Sequence, residues 1–221
     1  MKLSDKTLNV LKNYANINQG IFFKKGKVLK TVSSHKNILA EATIGEDVPT
    51  DFGVYDLNNF LSVVSLHKDD PSFEFGEKTV KIGDDKRSID YVYCDPSMIV
   101  TPPEKNITVP DPEVTFKLSQ DNLSQVLKAG QVLGTPEISV ESNGTQMLMK
   151  ALDVNNDSSD TFKIELGENS QTFRFVFKIE NFKMISNDYD VEISSKGIAR
   201  FTFQDKIQYW VATESTSTFG G

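Results

Sequence analysis

The same order of parts occurs twice in this chain, offset by roughly 115 residues. One copy opens at Leu3-Ser4 and runs through Leu8 and Leu11; the other opens at Leu118-Ser119 and runs through Leu123 and Val126. Further along, Tyr55-Asp56-Leu57-Asn58-Asn59-Phe60 is echoed by Phe177-Lys178-Ile179-Glu180-Asn181-Phe182. Each match is short, but recurrence in the same order is what a duplicated folding unit leaves behind. The 221-residue chain is therefore read as two similar halves, each long enough to bury a core of its own.

Hydrophobic residues at 38% and charged residues at 25% suit a globular protein rather than a disordered one. No apolar run approaches the ~18 to 20 residues a membrane helix needs, and Met1-Lys2-Leu3-Ser4-Asp5-Lys6 lacks the apolar core of a signal peptide. The protein is expected to stay where it is made and to bind no membrane. The single Cys94 has no partner for an internal disulfide and is expected as a small buried side chain.

Residues 4–17 carry a helical period: Leu3, Thr7, Val10, Leu11, Tyr14 and Ile17 gather on one side, and Lys2, Lys6, Asn9, Lys12, Asn13 and Asn16 on the other. Ser4 suits the N-cap and Gly20 the stop. Strands follow at 21–23, 27–32, 38–44 and 52–55, then a helix capped by Asp56 and running to Leu66, then alternating strands at 73–75, 79–82 and 88–93. The second half repeats the plan, with a helix from Ser119 to about Leu133, strands at 137–142, 146–152, 161–166 and 172–177, a short helix over 178–186, and strands at 189–194, 198–203 and 209–214. Between the halves, five prolines from Pro96 to Pro112 are interleaved with Ile99, Val100, Ile107 and Val109, which predicts a stiff, extended connector lying against a surface. The expected organisation is residues 1–96, a connector over 97–114, residues 115–214, and a small polar tail over 215–221 that is mobile.

Catalytic chemistry is hard to place. His35 and His67 have no metal-ligand spacing around them, and there is no phosphate-cradling glycine loop and no nucleophile elbow. Asp69-Asp70, Asp84-Asp85 and Asp157 to Asp160 sit in predicted turns, where solvated acids are common. No enzyme, metal or cofactor is expected. The net charge of −7 argues against a chain that coats nucleic acid with its whole surface. Yet the four helical windows, residues 2–17, 56–68, 117–133 and 178–187, together carry +4, so the remainder carries −11. Positive helices on an acidic body suggest one surface shared by the helices and turned toward a polyanion.

Met1-Lys2-Leu3-Ser4, Leu11-Lys12-Asn13-Tyr14-Ala15 with Ile17-Asn18 and Gly20-Ile21, Tyr55-Asp56-Leu57-Asn58 with Phe60-Leu61 and Ser65-Leu66, Asp69-Asp70, Asp95-Pro96-Ser97 and Tyr209-Trp210-Val211-Ala212 stand in an order and spacing that resembles the sliding clamps, the DNA polymerase processivity factors of T-even-type bacteriophages. The resemblance spans the chain and is densest in the first 65 residues. It implies an α+β fold of two similar domains of the DNA clamp type, each with two helices packed on antiparallel sheets, assembling as a homotrimer into a ring.

The implied partners are double-stranded DNA encircled without regard to sequence, the replicative DNA polymerase, an ATP-driven clamp loader and, in these phages, factors of late transcription, all in the cytoplasm of the infected bacterial host. The residues expected to face DNA are Lys2, Lys6, Asn9, Lys12, Asn16, Lys128, Gln131, Lys178 and Lys183. An apolar partner pocket beside the connector is expected from Ile99, Val100, Ile107 and Val109, with Ile44 and Val211 below them. The competing readings are a two-domain β-rich structural or virion protein indifferent to DNA, and an enzyme using the loop carboxylates.

Overall fold

A computed structural model describes residues 1–67 and 71–220, so Lys68, Asp69 and Asp70, and with them one expected acidic turn, lie outside the described residues. The chain divides into two compact units, Met1–Asn106 and Ile107–Gly221, with the division inside the expected connector.

In the first unit, α1 (Asp5–Ile17) starts where expected because the Ser4 side chain accepts from the Thr7 N–H, and it buries Thr7, Val10, Leu11, Tyr14 and Ile17. Strands β1 (Ile21–Phe23) and β4 (Phe52–Val54) pair antiparallel. Between them, β2 (Gly26–Val32) and β3 (Ile38–Val48) form a long hairpin. Helix α2 (Leu57–Ser65) is capped by Asp56 and packs beside α1. The strands β5 (Ser72–Phe75), β6 (Thr79–Gly83) and β7 (Ser88–Val92) make an antiparallel meander. The core is aromatic: Phe23 stacks on Phe52 at 4.4 Å, and Phe60 meets the edge of Tyr91 at 5.2 Å. Burying a ring of this kind is worth roughly 1.5–3 kcal/mol.

The connector begins with a 3-10 turn over Pro96–Met98, capped by Asp95. Its anchor is Ile99, buried between two glycines. A methyl on Gly53 would stand 3.1 Å from Ile99 Cδ1, and one on Gly20 would stand 3.4 Å from Cγ1. A methyl on Gly53 would press on Ile99, whereas at Gly20 the contact with Ile99 is an ordinary one and it is the Val54 and Tyr55 carbonyl oxygens, at 2.9 and 3.0 Å, that leave no room for a side chain. Beyond the anchor, Asn18 Nδ2 donates to the Val100 carbonyl at 2.9 Å.

The second unit opens with β8 (Val114–Leu118), a strand absent from the sequence reading, which pairs with β13 (Tyr189–Ser194). Then comes α3 (Gln120–Leu133), capped by Ser119 as α1 is by Ser4 and closed by Gly134 at φ 67°, a left-handed conformation that suits glycine. The helix packs on a sheet ordered β11-β10-β9-β12-β16, comprising Phe162–Glu168, Gln146–Leu152, Glu137–Asn143, Thr172–Lys178 and Thr218–Phe219. Strands β13, β14 (Ile198–Phe203) and β15 (Ile207–Ala212) complete the unit as a meander.

Two expectations need correcting. The units do not each hold two helices, since there are three α-helices among the described residues and the expected helix over 178–186 is one 3-10 turn, Ile179–Asn181. Lys178 at its cap position makes no side-chain cap hydrogen bond. The backbone is also spent elsewhere: Ile179 N–H donates to the Pro136 carbonyl at 2.9 Å and Ile185 N–H to the Tyr209 hydroxyl at 3.2 Å. Within the ending expected to be mobile, Thr218 and Phe219 pair instead with Arg174 and Phe173, and the Phe219 ring lies 6.3 Å from Phe175.

Candidate nucleic-acid and partner interface

Helix α1 presents Lys6, Asn9, Lys12 and Asn16 to solvent at spacings that keep them on one face, with Lys2 just ahead, while the buried stripe fixes which face that is. Lys6 to Asn16 covers about 15 Å of helix at 1.5 Å per residue. On α3, Lys128 and Gln131 are exposed in the same way, and Lys178 and Lys183 stand exposed on either side of the 3-10 turn. All nine residues expected to face DNA thus reach solvent. On α3, however, the stripe is interrupted, since Val132 is 76% exposed one position beyond Gln131.

Lys2, Lys6, Lys12 and Lys128 differ in ionic state from several cations of the sheets. On the strands, cations are matched by cross-strand acids: Lys30 with Glu41 at 2.7 Å, Arg200 with Glu192 at 2.7 Å, and Lys150 with Glu141. Lys6 and Lys12 on α1, Lys128 on α3, and Lys2 ahead of α1 have no ion pair among the described residues. The acid near the start of α1, Glu46, is turned inward, where it accepts from Thr7 Oγ1 at 2.5 Å and from the Ser4 N–H. Burial pushes its pKa up, but the hydrogen bonds from Thr7 and Ser4 outweigh that and hold the carboxyl below its usual range. Its charge therefore stabilises the helix start and does not cancel Lys6 or Lys12.

A cavity of about 710 Å³ lies beside the connector in the first unit. Its apolar lining is Phe22, Val28, Pro96, Pro102 and Pro103; its charged lining is Lys24, Lys25, Lys27, Lys30 and Glu104. None of the six residues expected in a partner pocket lines it. Ile44, Ile99 and Val211 are buried, Ile107 and Val109 are half-buried, and Val100 is exposed. The signal that pointed here was the basic turn Lys24-Lys25-Gly26-Lys27, which the sequence reading treated only as a turn, together with the paired prolines 102 and 103. Proline pairs make rigid apolar walls without exposing an N–H that would need a partner.

Cys94 is half-buried rather than buried, and burial raises its thiol pKa, away from the reactive thiolate. No group of three or more His, Cys, Asp and Glu side chains is placed to hold a metal among the described residues. No described helix is long and apolar enough to cross a membrane.

Residues 2–101 match the family described as DNA polymerase processivity factor, and residues 115–215 match the C-terminal family of the gp45 sliding clamp. The sliding clamp of Vibrio phage KVP40 is 34% identical, covering 97% of this chain and 100% of its own. The sliding clamp of Enterobacteria phage T4 is 31% identical, covering 99% of each. Among solved structures, A. fulgidus PCNA bound to the C-terminal region of FEN-1 superposes with a TM-score of 0.69 at 14% identity, covering 98% of both chains, a likeness of fold alone.

Proposed function

The chain belongs to the DNA polymerase processivity factor family, the sliding clamps, and we propose that three copies of it close into a ring around duplex DNA and act there without catalytic chemistry of their own. The observation that carries this reading is the exposed face of α1, where Lys6, Asn9, Lys12 and Asn16 lie along one side and neither lysine has an ion pair among the described residues. Unmatched lysines beside asparagines give contacts to phosphate that ignore base sequence. Such contacts alone give dissociation constants of roughly 10⁻⁴–10⁻⁶ M at physiological salt. That weakness suits a protein that must slide, and retention then comes from enclosure.

Ring closure is supported by strand edges left free among the described residues of both units, β7 in the first and β11 in the second. Val92 on β7 is 68% exposed, an apolar side chain at an unpaired edge. Unlike edges meeting head to tail generate a closed ring when the rotation permits it. The polymerase, the ATP-driven loader and, in coupling to late transcription, transcription factors dock through extended segments at the connector cavity. Linking the polymerase to the ring raises its effective concentration at the primer end. The setting is the cytoplasm of an infected bacterium.

The test is retention. Loaded with its cognate loader and ATP, the protein stays on circular duplex and runs off linear duplex of the same sequence, and a mass measurement at micromolar concentration gives three copies. Equal loss from both templates refutes enclosure.

A further inference from the structure

Ile185 is held from both sides. Its N–H donates to the Tyr209 hydroxyl at 3.2 Å, and its carbonyl accepts from the Tyr189 hydroxyl. Both tyrosines are buried, and their rings meet edge to face at 6.1 Å. Burial pushes both phenols up, so the hydroxyls stay protonated. Two buried side chains thus take the backbone groups of Ile185 that a helix would otherwise pair. Three residues earlier Phe182 is buried, its ring 5.6 Å from Phe177 and 5.7 Å from Phe201. Exposed Lys183 stands between these two anchors. The same segment runs beside α3: Asp188 Oδ1 accepts from the Gln120 N–H at 2.7 Å, and the Ser186 and Ser124 hydroxyls lie 3.3 Å apart. Ser124 shares the exposed side of α3 with Lys128, one turn further on. Ser186 is three residues from Lys183, at most about 10 Å of chain, so Lys183 borders the face of α3 that carries Lys128. The nearest acids along the chain are Asp188, committed to α3, and Glu180, beyond the buried Asn181 and Phe182.

We propose that Tyr189 and Tyr209 are positioning residues for DNA: they fix residues 182–188 as a rigid ridge that offers Lys183 to phosphate beside the basic face of α3. In the first unit the echoed stretch is helix α2, whose exposed side carries Asn58, Asn59, Ser62 and Ser65 and no charge. In the second unit the stretch carries lysine but keeps only one 3-10 turn, Ile179–Asn181. A segment without a helical ladder needs other groups to hold it, and the two hydroxyls do so. Because the backbone is ordered before DNA arrives, the contact forms without the entropic cost of ordering it. The inference rests on the reading of the chain as a clamp around DNA, and it adds which side chains set one of the contacts.

Fluorescence anisotropy of a short labelled duplex with the full chain, over a range of salt, tests it. Lys183→Gln weakens duplex binding about threefold and lowers the salt slope by about 0.9, while Lys183→Arg keeps both. Tyr209→Phe, which keeps the ring and loses the hydroxyl, speeds amide exchange at Ile185 and reproduces the loss of affinity; in the Lys183→Gln background it adds nothing. Should Tyr209→Phe fail to fold, Tyr189→Phe, which removes the donor to the Ile185 carbonyl, is measured in the same way. A purely structural role gives a lower melt with duplex binding unchanged, and that result overturns the proposal. So does a loss of equal size with or without Lys183, or a Lys183→Gln variant that binds as tightly as the unaltered protein. Retention of the unaltered protein on circular over linear duplex is scored in parallel. If retention holds while the tyrosine variants bind normally, the ridge falls and the clamp stands; if retention fails, the clamp reading falls and the ridge with it.

Discussion

Replacing Gly53 by alanine adds one methyl group where the connector takes root. The new carbon would stand 2.7 Å from the Cys94 carbonyl oxygen and 3.0 Å from its Sγ, besides the contact with Ile99. Ordinary contact begins near 3.4 Å, so Cys94 must retreat by roughly 0.7 Å, and it is backbone, not the end of a flexible side chain, that has to move. Cys94 N–H donates to the Gly53 carbonyl at 3.0 Å, and that bond is stretched by the same movement. Overpacking of this sort costs about 1–3 kcal/mol and a weakened hydrogen bond about 0.5–1.5 kcal/mol. Against this, the loss of glycine flexibility in the unfolded chain returns about 0.4–1 kcal/mol. The net is a loss of about 2 kcal/mol, which for a chain of this size lowers the melting temperature by roughly 4–8 °C. Gly45→Ala is the control, since a methyl there meets no atom within 4 Å, and it leaves the melt unchanged or slightly raised. Differential scanning calorimetry of both variants settles the matter. If Gly53→Ala melts at the temperature of the unaltered protein, the glycine is not what admits the connector.

Lys6→Glu with Lys12→Glu, both exposed on α1, leaves the melt intact but shortens retention on circular DNA, and the salt dependence of duplex binding flattens by about one ion per lysine lost. Glu46→Gln removes the charge at the start of α1. The Glu46 carboxyl titrates lower in the folded chain than in the unfolded one, so its contribution is complete above the ordinary glutamate value of 4.5 and fades as pH falls through the folded value. Denaturant titrations accordingly show the variant less stable at neutral pH by about 1 kcal/mol, with the gap closing on acidification. Phe219→Ser removes the ring that holds β16 beside Phe175, and amide exchange at Thr218 and Gly220 accelerates while that of β9 and β10 does not change.

Helix starts were legible because capping is a local chemistry. Ser4, Asp56 and Ser119 each accept from a backbone N–H three residues on, and the apolar period after them has no other reading. The missing fourth helix shows the limit of that rule. Ile179, Phe182 and Ile185 keep a helical spacing, but Lys178 offers no acceptor and the donors of this segment bond to Pro136 and Tyr209, partners distant in sequence. Strand β8 escaped because Leu118, its last residue, reads equally well as the lead-in to the helix at Ser119, although Val114 and Leu118 face inward with Thr115 and Lys117 outward. The exposed lysines of α1 and α3 followed directly from the buried stripe of their helices. The connector cavity did not, because it depends on prolines 102 and 103 coming to rest over a turn more than 70 residues earlier in the chain.

Ile99 sits in a socket made by two residues that have no side chains. The contact between Ile99 and the two glycines carries no charge for counterions to screen, so changes of salt that remodel the lysine-bearing surfaces leave it in place, while the turn beside it keeps the Asp95 carboxylate as its cap. Its vulnerability is of another sort. A single added carbon at Gly53 crowds it, so a contact indifferent to salt is also among the least forgiving of substitution.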